Sequence, residues 1–179
     1  MTAFQQALVN WAVSIANNDY YYYHYTWEDN VTVPHFDCAT YLSYVIYQAS
    51  GWNDWYDRSY FWPHISDPGY DSFLLNNGWQ KFPFSSSYLT EGAIIIMDET
   101  WGHTFMYIGN GQICEANDKN DTDHGPTSIE VCSYSKYEPY ESDFAFIYLP
   151  PDVTPGPGPG PGPITNRYCP KTYKRKRGF

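Results

Sequence analysis

The stretch from Asp37 to Gly51 limits the fold more than any other, because it predicts a helix with a defined start, end and buried face. Asp37 is a preferred N-cap residue, and Gly51 is typical of the position just past a helix C-terminus. The apolar residues between them recur at helical spacing: Tyr41, Leu42, Val45, Ile46 and Ala49. One face of this helix must therefore pack against the rest of the chain.

Cys38 falls in the first turn of the predicted helix. Unpaired N–H groups and the helix macrodipole favour a thiolate at that position. A thiolate attacks carbonyl carbons, whereas a thiol hardly does. A single cysteine in this setting is also compatible with a buried core residue, so Cys38 is a candidate nucleophile that needs support from elsewhere in the chain.

Helical patterns come first in this sequence and strand patterns follow. Residues 3–17 predict an amphipathic helix opened by a Thr2–Gln5 capping box, and 18–36 and 52–70 predict long aromatic-rich loops, which are usually functional. This order predicts an α+β domain in which the Cys38 helix packs on an antiparallel sheet. The predicted strands are short and apolar: Ala93–Met97, Thr104–Ile108, Gln112–Ala116, Ile129–Tyr134 and Phe144–Leu149.

Charge divides the chain into a domain, a linker and a tail. Residues 1–150 carry 19 acidic and 4 basic side chains, a net charge of −15, which argues against nucleic acid as the main partner. Residues 151–166 contain a Pro-Gly repeat that predicts an extended linker. Residues 167–179 form a basic tail, in which five basic side chains lie between Lys171 and Arg177.

The remaining composition bounds the function further. The four cysteines have irregular spacing and no Cys-x-x-Cys pair, so we expect neither a metal site nor a cofactor. The 19 tyrosines and 7 tryptophans are suited to stacking on sugar rings, although an aromatic-rich core also accounts for some of them. No basic region precedes an apolar run at the N-terminus, and no segment approaches 18 apolar residues. We therefore expect no signal peptide and no membrane span, with synthesis in a cytoplasm.

A cysteine nucleophile needs a base, and His103 is the best candidate for that role. His103 opens a predicted strand, where the hydrogen-bond ladder would fix its position. The other histidines fall in predicted loops: His24, His35, His64 and His124. A surface histidine with no role in catalysis is the competing interpretation of His103.

The base is usually held by a third polar group, and the strand after the hairpin offers Glu115 and Asn117 on one face. If the three residues 109–111 form the turn, Asn117 lies opposite His103 and Glu115 sits diagonally on the same face. If only 110–111 form the turn, both side chains point away, unless a β-bulge restores the register. The sequence leaves this choice open.

Three segments in this order resemble the NlpC/P60 and CHAP peptidoglycan hydrolases, in particular their phage-encoded amidase/endopeptidase branch. The segments are Asp37–Tyr41, Leu89–Ile95 and His103–Ala116, and the resemblance covers roughly residues 2–150. It implies a papain-like α+β fold and a Cys–His–polar triad that cleaves an amide bond of the cell-wall stem peptide or the sugar–peptide link.

The resemblance also assigns roles to individual residues. It implies Cys38 as nucleophile, His103 as base, and Glu115 or Asn117 as the third member. Tyr25-Thr26-Trp27 resembles the Tyr-x-Trp of many members, although Glu28-Asp29 stands where Gly-Gly is usual. The residues expected to bind substrate are Tyr25, Trp27, Asp37 and Trp62.

The expected partner is bacterial peptidoglycan, with an anionic wall polymer or another virion protein as a partner of the basic tail. A phage lysin or a tail-associated lytic protein would fit these expectations. Two alternatives stay open. One is a non-catalytic wall-binding or virion structural protein on the same fold, and the other is a cysteine acyltransferase or deamidase.

Overall fold

The computed structural model describes residues 1–18, 22–23, 35–36, 38–50, 72, 74–97, 103–117 and 129–152. The predicted linker and tail lie almost entirely outside this range. The helices and strands are α1 (Ala3–Ala16), β1 (Tyr22–Tyr23), β2 (His35–Phe36), α2 (Cys38–Ser50), β3 (Gln80–Pro83), β4 (Ile94–Met97), β5 (Thr104–Gly109), β6 (Gln112–Ala116), β7 (Ile129–Ser133) and β8 (Phe144–Leu149).

Helix α1 begins with the predicted capping box. The Thr2 hydroxyl accepts the Gln5 N–H at 3.1 Å, and the Gln5 side-chain oxygen accepts the Thr2 N–H at 2.7 Å. The buried face of the helix carries Leu8, Ala12 and Ile15. Trp11, at helical spacing with Leu8 and Ile15, is 37% exposed, because that buried face leaves position 11 at its margin.

Helix α2 confirms the predicted buried face. Tyr41, Leu42, Val45 and Ile46 are all fully buried. The Tyr41 hydroxyl donates to the Ala12 carbonyl of α1 at 2.9 Å, which joins the two helices into one layer. No helix among the described residues is both long and apolar enough to span a bilayer.

A six-stranded antiparallel sheet packs against this layer, in the strand order β3-β8-β4-β5-β6-β7. Every strand that the sequence predicts is present, with ends that differ by at most one residue. The edge strand β3 was not among those predicted. The α+β prediction is confirmed.

The two faces of the sheet are covered differently. Met106, Cys114 and Ala116 belong to the core shared with α1 and α2. Phe105 and Ile113 point to the opposite face, where aromatic side chains from 134–144 cover them. Because side chains alternate along a strand, Glu115 shares this second face with Ile113.

Candidate active site

The β5–β6 hairpin decides which residues of its two strands can meet. Asn110 and Gly111 both have positive φ, 54° and 69°, as a two-residue turn of this hand requires. The register shifts between Tyr107 and Gly109, so Met106 pairs with Cys114. A two-residue turn alone would place the side chains of residues 103 and 115 on opposite faces of the hairpin. The bulge shifts the register by one residue, so the Glu115 side chain lies on the same face as His103.

His103 and Glu115 form a direct, largely buried pair. His103 Nε2 lies 2.6 Å from Glu115 Oε2, and the Glu115 side chain is fully buried while 13% of the His103 side chain is exposed. The His103 carbonyl accepts the Met97 N–H at 2.9 Å, so the sheet also fixes the backbone at this position. Asn117, the other candidate, is half-buried just past the end of β6.

Cys38 is the first residue of α2, is half-buried, and lies close enough to His103 to raise the pKa of the imidazole. Burial alone lowers the pKa of His103. The hydrogen bonds to Cys38 and Glu115, together with their negative charges, outweigh burial and raise that pKa to about 9. The structure thus brings together a helix-start cysteine, a histidine and a buried carboxylate.

The Glu115 carboxylate stays ionised because several donors surround it. Burial raises its pKa, but the hydrogen bond and charge of His103 outweigh burial, and Tyr137 and Lys136 add to this lowering. The Tyr137 hydroxyl donates to Oε2 at 2.5 Å, and Lys136 Nζ donates to Oε1 at 3.0 Å. The net result is a pKa well below the usual range of a glutamate.

Lys136 and Tyr137 belong to no motif that the sequence indicated. They follow β7, where one 3₁₀ helix (Tyr134–Lys136) meets another (Glu138–Asp143). Residues 1–150 contain only four basic side chains, and Lys136 is one of them. That rarity is the one signal in the sequence that points to Lys136.

Glu115, Glu130 and Cys132 have ligand atoms within 4.8 Å of one another, a spacing that a metal ion could bridge. The Lys136 ammonium already pairs with both carboxylates, at 3.0 Å and 3.4 Å. Burial and the charge of Glu115 raise the pKa of the Cys132 thiol, so it remains protonated and donates to Glu115 Oε1 at 3.3 Å. These groups form an ion-pair and hydrogen-bond cluster behind His103.

No protein-family model and no curated protein matches the sequence. Solved structures do match. The peptidoglycan hydrolase RipB from Mycobacterium tuberculosis aligns with a TM-score of 0.51 and 16% identity, over 84% of this chain and 66% of that one. The NlpC/p60 domain of the peptidoglycan hydrolase SagA aligns with a TM-score of 0.49 and 19% identity, over 81% of this chain and 97% of that one. An NlpC/P60 family protein from Bacillus cereus ATCC 10987 aligns with a TM-score of 0.38 and 21% identity, over 63% of this chain and 31% of that one.

The chain has the NlpC/P60 fold. The resemblance seen in the sequence is confirmed at the level of the fold, while its narrower assignment to a phage branch stays a prediction.

The sequence predicts four substrate-binding residues. Tyr25, Trp27, Asp37 and Trp62 all lie outside the described residues.

Proposed function

We propose that this NlpC/P60-fold chain is a peptidoglycan hydrolase, which cleaves an amide bond of the stem peptide or of the sugar–peptide link. One observation carries the proposal: His103 lies 2.6 Å from the buried Glu115 carboxylate and interacts with Cys38, the residue that begins a helix. RipB, which shares this fold, is a peptidoglycan hydrolase, and this supports the substrate class.

The proposed reaction begins with attack of the Cys38 thiolate on the amide carbonyl carbon, which forms a C–S bond. The Cys38 backbone N–H is positioned at a helix start to stabilise the resulting oxyanion. His103 then gives its proton to the leaving nitrogen as the C–N bond breaks, and a thioester remains. His103 next takes a proton from water, the hydroxide displaces Cys38, and the products are a carboxylate and an amine.

Glu115 orients His103 throughout this cycle. Because Nε2 is engaged with Glu115, Nδ1 is the ring nitrogen left to exchange a proton with Cys38. Glu115 keeps its negative charge and stabilises the imidazolium, as the third member of such triads does.

Turbidity loss of purified cell walls tests the proposal against a non-catalytic wall-binding or virion structural protein. Products with new amino termini distinguish hydrolysis from acyl transfer, in which the acyl group would move to another acceptor. Release of ammonia without chain cleavage would instead identify a deamidase.

The pH dependence follows from His103 and Glu115. A raised histidine pKa means that the imidazolium pair is complete below about 6.5 and is lost as the pH rises through about 9. A lowered glutamate pKa means that the contribution of Glu115 is complete above about 4.5 and is lost only in strong acid. We therefore expect kcat/KM on a small stem peptide to fall on the alkaline side near pH 9, where the His103 imidazolium loses its proton. An alkaline limb near 6.5 would contradict the proposed ion pair.

For the basic tail we propose an anionic wall polymer as the partner, in keeping with a lysin or a tail-associated lytic protein. Tethering near the wall raises the effective concentration of substrate without new contacts at the active site. Deletion of residues 155–179 should leave hydrolysis of a small stem peptide unchanged and should slow lysis of whole walls at low salt. The difference should shrink in high salt, where charges are screened within a few ångströms, on the order of 3 Å at 1 M. Equal lysis of walls by both forms at low salt would exclude the tether.

A further inference from the structure

The Glu115 carboxylate is shared among four donors of the described residues. Oε2 accepts from the Tyr137 hydroxyl at 2.5 Å and faces His103 Nε2 at 2.6 Å. Oε1 accepts from Lys136 Nζ at 3.0 Å and from the Cys132 thiol at 3.3 Å. To orient the histidine, the Glu115 carboxylate needs only its contact with His103 Nε2. The other three donors therefore require a separate explanation.

Tyr137 contacts both members of the His103–Glu115 pair. Its ring stacks on the imidazole with centroids 5.8 Å apart and planes 30° apart, and it stacks on Phe105 at 4.7 Å. Its hydroxyl reaches past the imidazole to Glu115 Oε2. Tyr137 is 8% exposed, so these contacts are held within the core of the second sheet face.

We propose that Lys136 and Tyr137 are positioning residues, which share the Glu115 carboxylate with His103 and so limit how strongly Glu115 holds the imidazolium proton. The ammonium of Lys136 and the hydroxyl of Tyr137 each partly neutralise the negative charge of Glu115. Without them, that charge would act on His103 alone. The inference rests on the proposed function, since it assigns a purpose to this sharing in the hydrolase cycle.

The purpose follows from the two tasks of His103. The imidazolium must persist long enough to pair with Cys38, and it must then release a proton to the leaving nitrogen. A carboxylate that bound only His103 would favour the first task and slow the second. Among the described residues, Cys38 acts on the His103 side of the pair. The charged and titratable groups on the Glu115 side are Lys136, Tyr137, Cys132, Cys114 and Tyr41, and Glu130 pairs with Lys136.

The direct test is NMR titration of the His103 imidazole in a Cys38→Ala background, which removes the coupled thiol. Lys136→Met keeps the aliphatic stem and removes the charge, and we expect it to raise the His103 pKa by about one pH unit. Tyr137→Phe keeps the stacked ring and removes the hydroxyl, and a rise of a few tenths of a pH unit is expected, on the order of one weakened hydrogen bond.

Two further variants separate this role from a structural one. Lys136→Arg keeps the charge and should leave the His103 titration near that of the parent. Tyr134→Phe is the matched control, because the Tyr134 hydroxyl also donates to a carboxylate at 2.5 Å, and that carboxylate is Glu141. Tyr134→Phe should leave the His103 titration unchanged. A downward shift, or no shift, in both Lys136→Met and Tyr137→Phe would overturn the proposal.

Kinetics with Cys38 restored give the second readout. Lys136→Met should lower kcat on a stem peptide by about tenfold with KM nearly unchanged, and should move the alkaline limb to higher pH. An equal loss in the Tyr134→Phe control would mean that the losses are structural, which contradicts the proposal. The proposed function and the sharing of Glu115 are tested separately. A wild-type protein that does not cleave walls refutes the hydrolase, whereas the NMR titration still decides whether Glu115 is shared.

Discussion

Cys38→Ala is expected to slow wall lysis by on the order of 10³-fold or more, with the fold intact. The thiolate forms the bond to the substrate in the proposed cycle, and alanine offers no nucleophile in its place. Cys38 is half-buried at the first residue of α2, outside the core clusters, and alanine is a good helix former. Circular dichroism and Tm should therefore match wild type.

Cys114→Ala provides the matched control for this prediction. Cys114 is fully buried in the core between the helices and the sheet, and burial raises the pKa of its thiol to about 12. Its loss should lower Tm slightly and leave lysis near the wild-type rate. Lysis by Cys38→Ala at near wild-type rate would refute the hydrolase mechanism.

Glu115→Gln is expected to have the second largest effect, a loss of roughly 10²- to 10⁴-fold in kcat on a stem peptide. Glutamine has nearly the same shape but no charge, so it cannot stabilise the imidazolium, and its amide can favour the wrong tautomer of His103. It also leaves Lys136 with one fewer carboxylate in a buried cluster, so Tm should fall as well.

Asn117→Ala separates the two candidates for the third position. Because the 2.6 Å contact to His103 is made by Glu115, we expect Asn117→Ala to retain most of the activity. Near wild-type activity in Glu115→Gln combined with an inactive Asn117→Ala would show that the assignment of Glu115 is wrong.

The elements that position the site could be predicted because each carries a local signal. The capping box at Thr2 and Gln5 defines the start of α1, and the apolar spacing from Tyr41 to Ile46 defines the buried face of α2. Alternation and turn residues mark the strands closely enough that their ends differ by at most one residue. Cys38 and His103 could be selected because Cys38 begins a helix and His103 directly precedes a strand.

Other features depend on contacts that have no local signal. Whether Glu115 and His103 share a face of the hairpin depends on a bulge between Tyr107 and Gly109. The turn residues do not indicate whether such a bulge is present. Lys136 and Tyr137 reach Glu115 from the 3₁₀ helices after β7, more than 20 positions away along the chain, a distance in sequence at which no periodicity operates. Strand β3 is short and contains a proline, which weakens its pattern.

The most direct test of the central claim is digestion of soluble muropeptides in H₂¹⁸O, followed by mass spectrometry of the products. Hydrolysis through Cys38 predicts a new amine and a new carboxylate that carries one ¹⁸O atom with wild-type protein, and neither product with Cys38→Ala. If the wild-type protein yields no such pair, or Cys38→Ala yields it equally, amide hydrolysis through Cys38 is contradicted.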